Sequence, residues 1–112
     1  MRGAFKECLG AIGWSWGEPE VGVDLLRRMA PRAYRIRVLS SSALELCLVA
    51  EGALDLYAGT NFSIWDVDAG MLVLAEAGGI VTDGEGRPLL AHSSTIAAIN
   101  GKVHGELLAA LR

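Results

Sequence analysis

The chain has 112 residues, enough for one compact domain and too few for two. With 52% hydrophobic and 21% charged residues it is not a disordered chain, and with only 6% aromatic its core must rest on Leu, Val, Ile and Ala. A net charge of −3 argues against nucleic acid or an anionic membrane as a partner.

The N-terminal stretch carries charges at Arg2, Lys6, Glu7 and Glu18 around a short apolar segment. Neither a signal peptide nor a membrane span is expected from it, and a cytoplasmic protein is the expectation. Residues 8–14 read as a strand interrupted by Gly10 and Gly13, and residues 17–20 as a loop. Residues 21–29 have helical spacing, with Val21, Leu25, Leu26 and Met29 on one side, and Pro31 ends that helix. Residues 34–39 alternate, Tyr34, Ile36 and Val38 facing one way and Arg35 and Arg37 the other, which predicts a half-buried strand. Together with Arg27, Arg28 and Arg32 these arginines form a basic run. It reads as a solvated helix end and strand edge, the alternative being an anion-facing patch.

Ser40-Ser41-Ser42 comes next, and Ser42 with Glu45 has the capping-box spacing, so a helix is predicted over residues 43–51. Gly52 stands where a left-handed residue would stop it. Cys47 lies in the apolar run 46–49 and is expected to be a buried free thiol. With Cys8, His92 and His104 it makes no zinc-ligand spacing. Residues 54–57 read as a short strand and 58–64 as a loop. Asp66 is then placed as the N-cap of a helix over 67–77, apolar nearly all round and therefore expected to be buried on several sides, with Gly78-Gly79 as its stop. Residues 80–82 and 88–90 flank Asp83-Gly84-Glu85-Gly86 as a hairpin. Residues 95–99 form another strand, Asn100-Gly101 a turn, and residues 103–111 a final helix. His92 is expected in a loop and His104 on an exposed helix face. Alternating strands and helices predict an α/β layered fold with a mixed sheet of about five strands and helices on its faces, in a single domain over 1–112.

The most specific stretch is Trp65-Asp66-Val67-Asp68-Ala69-Gly70, continuing through Glu76-Ala77-Gly78-Gly79. It resembles the Trp-Asp-x-Ala-Ala-Gly…Glu-Ala-Gly-Gly signature of inositol monophosphatases and their relatives, among them archaeal fructose-1,6-bisphosphatases and 3′-phosphoadenosine phosphatases. Residues 37–50 resemble that family's Arg-x-x-Gly-Ser-Ala helix. Gly52-Ala53-Leu54-Asp55-Leu56-Tyr57 resembles its Gly-x-x-Asp-x-Tyr strand, and residues 96–100 resemble a late strand ending in Ala-x-Asn. The resemblance covers residues 35–112 and extends only loosely to the first 34, so it implies the C-terminal half of the family's layered fold.

The resemblance also implies an activity, Mg²⁺-dependent hydrolysis of a small phosphorylated sugar or polyol. By the same resemblance Asp66 would bind one metal of a multi-metal site, and Ser41 and Ser42 would border the substrate. Trp65, Gly70, Glu76, Gly78 and Gly79 would belong to the structural motif. On physical grounds alone, Asp66 is either a helix cap, worth ~1 kcal/mol, or a carboxylate ligand of a hard cation. Ser41 and Ser42 are equally suited to capping. Asp68 stands where the family has a small residue, Ser40 where it has glycine, and Gly59 near the place where inositol-specific members carry a glutamate.

The family's upstream acidic ligands, a Glu-Glu pair and Asp-Pro-x-Asp-Gly-Thr, have no counterpart in this sequence. Its three prolines come after Glu18, Ala30 and Arg87, and no two glutamates adjoin. One carboxylate does not hold two divalent ions beside a phosphate dianion, so Mg²⁺ binding would be weak and no residue is assigned as catalytic. The expectation is a C-terminal phosphatase part, inactive alone and active with a separate N-terminal half. The alternative is a non-catalytic binding domain that forms a homo-oligomer. An unrelated site built from Asp66, Asp68, Asp83 and His92 has no nucleophile–base spacing to support it.

Overall fold

Strands and helices alternate along the chain: β1 Leu9–Gly13, α1 Pro19–Met29, β2 Arg35–Arg37, α2 Ser42–Glu51, β3 Leu56–Thr60, α3 Ile64–Glu76, β4 Ile80–Asp83, β5 Thr95–Ile99 and α4 His104–Leu111. This computed structural model describes residues 4–15, 17–60, 64–101 and 103–111, and the side chains of Ile64 and Asp66 lie outside what it describes. The strands form one mixed sheet in the order β2-β1-β3-β5-β4. β1 pairs parallel with both β2 and β3, while β5 runs antiparallel between β3 and β4. The α/β expectation with five strands is met.

The chain moves from β1 outward to β2 and then back across β1 to β3. Right-handed crossovers in opposite directions place the two connecting helices on opposite faces of the sheet. On one face Ile12, Leu56, Ala58, Ala97 and Ile99 pack with Leu25 and Met29 of α1 and Leu107 and Ala110 of α4. On the other, Ala11, Tyr57, Ile96 and Ala98 pack with Leu46 and Val49 of α2 and Val67 and Leu74 of α3. Strict alternation along β5 feeds both cores, and each fully buried Leu or Ile contributes about 1.5–3 kcal/mol relative to exposure.

Local signals set several boundaries. α1 begins at Pro19, two residues earlier than expected, because proline at the first helical position surrenders an N–H that has no helical partner. α2 ends on Gly52 at φ 86, the left-handed stop expected there. α3 ends in a Schellman motif: Gly78 N–H donates to the Ala75 carbonyl (3.0 Å) and Gly79 N–H to that of Leu74 (2.9 Å), with Gly78 at φ 86.

Other expectations are corrected. The strand predicted over 34–39 shortens to β2, an edge strand in which Ile36 is half-buried while Tyr34 and Val38 are exposed, because only β1 flanks it. Ala58, Gly59 and Thr60 are not loop but the end of β3, held between β1 and β5. The hairpin joins β4 to β5; residues 88–90 form no strand, and Asp83 Oδ1 instead accepts from the N–H groups of Glu85 and Arg87, each at 2.8 Å. Cys47 is exposed and Cys8 is the buried thiol, since α2 turns Leu46 and Val49 inward instead.

α3 is buried along one stripe, Val67, Gly70 and Leu74, and not on several sides; Trp65, Leu72 and Val73 are exposed. His104 is half-buried, its Nε2 2.9 Å from Thr82 Oγ1, and burial lowers its pKa. The Thr82 hydroxyl donates to the Asp83 carbonyl, which leaves Nε2 as the donor to it. Arg27, Arg32, Arg35 and Arg37 are exposed as expected, with Arg27 and Arg28 on Asp24 and Arg35 over the Tyr34 ring.

Candidate functional site

β1, β2 and β3 run parallel, so the helices connected to their carboxyl ends all begin at one edge of the sheet. α1 and α2 leave that edge on opposite faces, which opens a crevice outside the carboxyl ends of β1 and β3. Open α/β sheets bind ligands at such switch points. Trp14 borders the crevice after β1, and the 38–41 loop lies after β2. Thr60 ends β3, and the first turn of α3 carries Asp66.

Asp66 is the third residue of α3 and so not the N-cap that its position before an apolar run suggested, because the helix begins at Ile64. Its side chain lies outside the described residues. Its backbone position brings it to the same edge as Ser41 and Ser42. Among the described residues no three His, Cys, Asp or Glu side chains form a group able to hold a metal ion.

Ser41, not Ser42, is the N-cap of α2: its Oγ accepts from the Leu44 N–H at 3.2 Å. Ser42 Oγ lies 2.8 Å from the Tyr57 hydroxyl. Both candidate substrate-bordering hydroxyls are therefore already engaged in holding the fold. Ser40, in the place of the resemblance's glycine, adopts φ 62. The left-handed region penalises a side chain by roughly 1–2 kcal/mol, partly offset by the extra unfolded-state freedom of glycine. Ser40→Gly is expected to stabilise the chain by about 0.5–1 kcal/mol. A thermal melt reads this as a rise of a few degrees, and an unchanged or lower Tm would mean the hydroxyl compensates for the strain.

Tyr57 organises the α2 side of the crevice. Its ring lies along β3 and across β1, so that a Cβ at Gly59 would overlap its hydroxyl and one at Gly13 would come within 2.9 Å of it. Gly13 and Gly59 are paired in register, and both are glycine because the ring covers them. Burial pushes the Tyr57 hydroxyl up to about 12, with the nearby Glu45 charge adding to the rise, so the phenol stays neutral at pH 7. Opposite, Trp14 packs so closely on Gly22 of α1 that no Cβ would fit there. The Thr60 hydroxyl oxygen is buried with no hydrogen-bond partner among the described residues.

The glycines of the motif have structural roles. Gly70 lets α3 approach α2, since its Cβ would lie 2.8 Å from that of Leu46. Gly78 and Gly79 end α3, and a Cβ at Gly79 would overlap Leu74. Trp65 is 86% exposed and Glu76 is also exposed. Asp68 faces solvent. Asp83 ends β4 and His92 lies on the β4–β5 connection, away from the carboxyl ends of β1 and β3. Sequence reasoning gave Tyr57 only a place in the resemblance and Glu45 only a capping role; Gly59, two residues after Tyr57 and so on the same face of the strand, was the available signal.

The profile of the inositol monophosphatase family matches residues 19–112. The fructose-1,6-bisphosphatase/inositol-1-monophosphatase of Thermotoga maritima is 33% identical over 105 residues, 94% of this chain and 40% of that protein. Inositol-1-monophosphatase SuhB of Mycobacterium tuberculosis is 39% identical over 101 residues, 90% of this chain and 34% of that protein. The solved inositol monophosphatase from Anabaena (Nostoc) sp. PCC 7120 superimposes with a TM-score of 0.90 at 32% identity, over 96% of this chain and 44% of that one. The chain thus spans about two-fifths of the length of the relatives it matches.

Proposed function

The chain belongs to the inositol monophosphatase family, and from that membership we propose that it is the C-terminal part of a Mg²⁺-dependent phosphomonoesterase for small phosphorylated sugars or polyols. The observation that carries this reading is the meeting, at the β1/β3 crevice, of the 38–41 loop, Ser42 and the first turn of α3 with Asp66. Asp66 would hold the ion, which when bound supplies charge neutralisation for a phosphoryl group. The described donor set does not complete such a site, so the other acidic ligands would come from a separate N-terminal half. The chain's own contribution is positional. Ser41 and Ser42 form one wall, held by their bonds to Leu44 and Tyr57, and the neutral Tyr57 ring with Gly13 and Gly59 forms an uncharged floor.

The α2/α3 layer supports a missing neighbour. Leu44, Leu72, Val73 and Trp65 are exposed there, whereas on α1 the exposed Val23 and Leu26 are interspersed with Glu20, Arg27 and the Asp24 ion pairs. Apolar side chains grouped on one face of a domain usually become an interface. The second reading rests on the same residues: a homo-oligomer closed over this face, without catalysis.

The test is co-expression with the N-terminal part of the Thermotoga relative, and then measurement of phosphate release from phosphorylated sugars and polyols with and without Mg²⁺. Mg²⁺-dependent release that Asp66→Ala abolishes is the expected result. Two folded, associated chains without release would overturn the phosphatase reading. A chain that is monomeric by light scattering at high concentration would overturn the homo-oligomer.

A further inference from the structure

Glu45 lies in the first turn of α2 with only 1% of its surface exposed. Among the described residues no cation pairs with it; Arg27 and Arg28 pair with Asp24, on the far face of the sheet. A carboxylate withdrawn from water without a counter-ion is costly, so its hydrogen bonds are the terms that favour its charged form. Its Oε2 accepts from the Leu39 N–H at 3.2 Å, and its own N–H donates to the Ser41 carbonyl at 2.9 Å, with the Ser41 N–H favouring the charged carboxylate. Leu39 and Ser41 bracket Ser40, the one described residue other than glycine with a positive φ. The carboxylate therefore ties together, from the inside, the two ends of a strained two-bond span. The next residues face the crevice: Ser41 caps α2 and Ser42 meets Tyr57.

We propose that Glu45 is the positioning residue of the 39–42 loop, templating the left-handed turn at Ser40 and so setting where Ser41 and Ser42 stand at the crevice. Its bearing on catalysis rests on the phosphatase reading above; the positioning itself does not. The titratable group that faces it from β3 is Tyr57, which remains neutral, and on α3 Asp68 and Glu76 are turned to solvent. Neither Ser41 nor Ser42 can supply the same constraint, because each hydroxyl is committed to a partner on its own side of the loop.

Amide hydrogen exchange by NMR on the ¹⁵N-labelled chain tests this. In Glu45→Ala the Leu39 and Ser41 amides are expected to exchange roughly tenfold faster or more, while Ala97 and Ala98 of the central β5 keep their protection. Equal acceleration in β5, or none at Leu39 and Ser41, overturns the proposal, the first by showing general loosening and the second by showing no constraint. Glu45→Gln is the conservative rescue, since its side-chain carbonyl can still accept from Leu39. A slow Leu39 amide in that variant supports the proposal; a fast one in a folded chain overturns it, even where the alanine variant fails to fold. None of these outcomes depends on phosphate release, so this inference and the phosphatase reading fail separately.

Discussion

Asp55→Ala is expected to lower the stability of the chain by about 3–4 kcal/mol. Asp55 is 2% exposed and immediately precedes β3. Its Oδ2 accepts from the Leu9 N–H at 2.8 Å, while its own N–H donates to the Leu9 carbonyl at 2.8 Å and its carbonyl accepts from Asn100 N–H at 3.1 Å. One residue thus joins the start of β1 to the start of β3 and the end of β5. Removing the carboxylate loses a charge-assisted bond and leaves the Leu9 N–H buried without a partner, two losses of about 1.5–3 and 1–3 kcal/mol that overlap. For a domain of this size the Tm should fall by roughly 10–20 °C. Asp55→Asn keeps an acceptor oxygen and should lose about 1 kcal/mol. Urea unfolding of both variants decides it: asparagine fills the same space and keeps an acceptor, so a loss as large as alanine's would mean that the carboxylate charge, and not the retained bond to Leu9, carries the effect.

The second large effect is a pH dependence centred on Glu45. Burial moves its carboxyl from the usual 4.5 up to about 7, against the opposing pull of the Leu39 and Ser41 N–H groups. The folded chain therefore keeps this proton over a range in which the unfolded chain has released it. The contribution of Glu45 to stability is greatest below about pH 4.5, falls as pH rises towards 7 and is fully lost above that, a loss of about 3 kcal/mol. Other carboxylates titrate in the same range, so the quantity to measure is the stability of Glu45→Gln minus that of the wild type. That difference should grow by about 3 kcal/mol between about pH 4 and about pH 8 in favour of the glutamine variant. A flat difference would show that Glu45 titrates as an exposed carboxylate does.

The two residues separate what is local from what is not. Glu45 has the spacing of a capping partner, and sequence spacing alone pairs it with Ser42. In the fold Ser41 takes the cap, and the Glu45 side chain reaches back to Leu39, because the preceding loop doubles under the helix. Asp55 was legible only as one letter of a resemblance. Its partners lie 46 and 45 residues away, and nothing within a turn of it announces them. Tyr57 is similar: Gly59 looked like a missing functional side chain, but on β3 it makes room for the phenol.

The resemblance carried by Trp65, Asp66, Gly70, Glu76, Gly78 and Gly79 placed the chain in its family, which the match over residues 19–112 bears out. The structure gives Gly70 and Gly79 packing roles in which a Cβ would overlap a neighbour, and Gly78 the left-handed stop that favours glycine.

The family, the alternation of elements, the stops at Gly52 and Gly78 and the α/β class were all legible in the sequence, because each is written within a few residues of chain. Which strand is an edge, and so that Tyr34 and Val38 face water, depended on how the strands assemble. Assembly also set α3 to bury one stripe and leave Leu72 and Val73 open, and it enclosed Cys8 rather than Cys47. It brought the 38–41 loop and the start of α3 to one edge of the sheet. Burial and proximity depend on which distant segments lie on either side, and a hydrophobic pattern records only that a side chain can be covered, not what covers it.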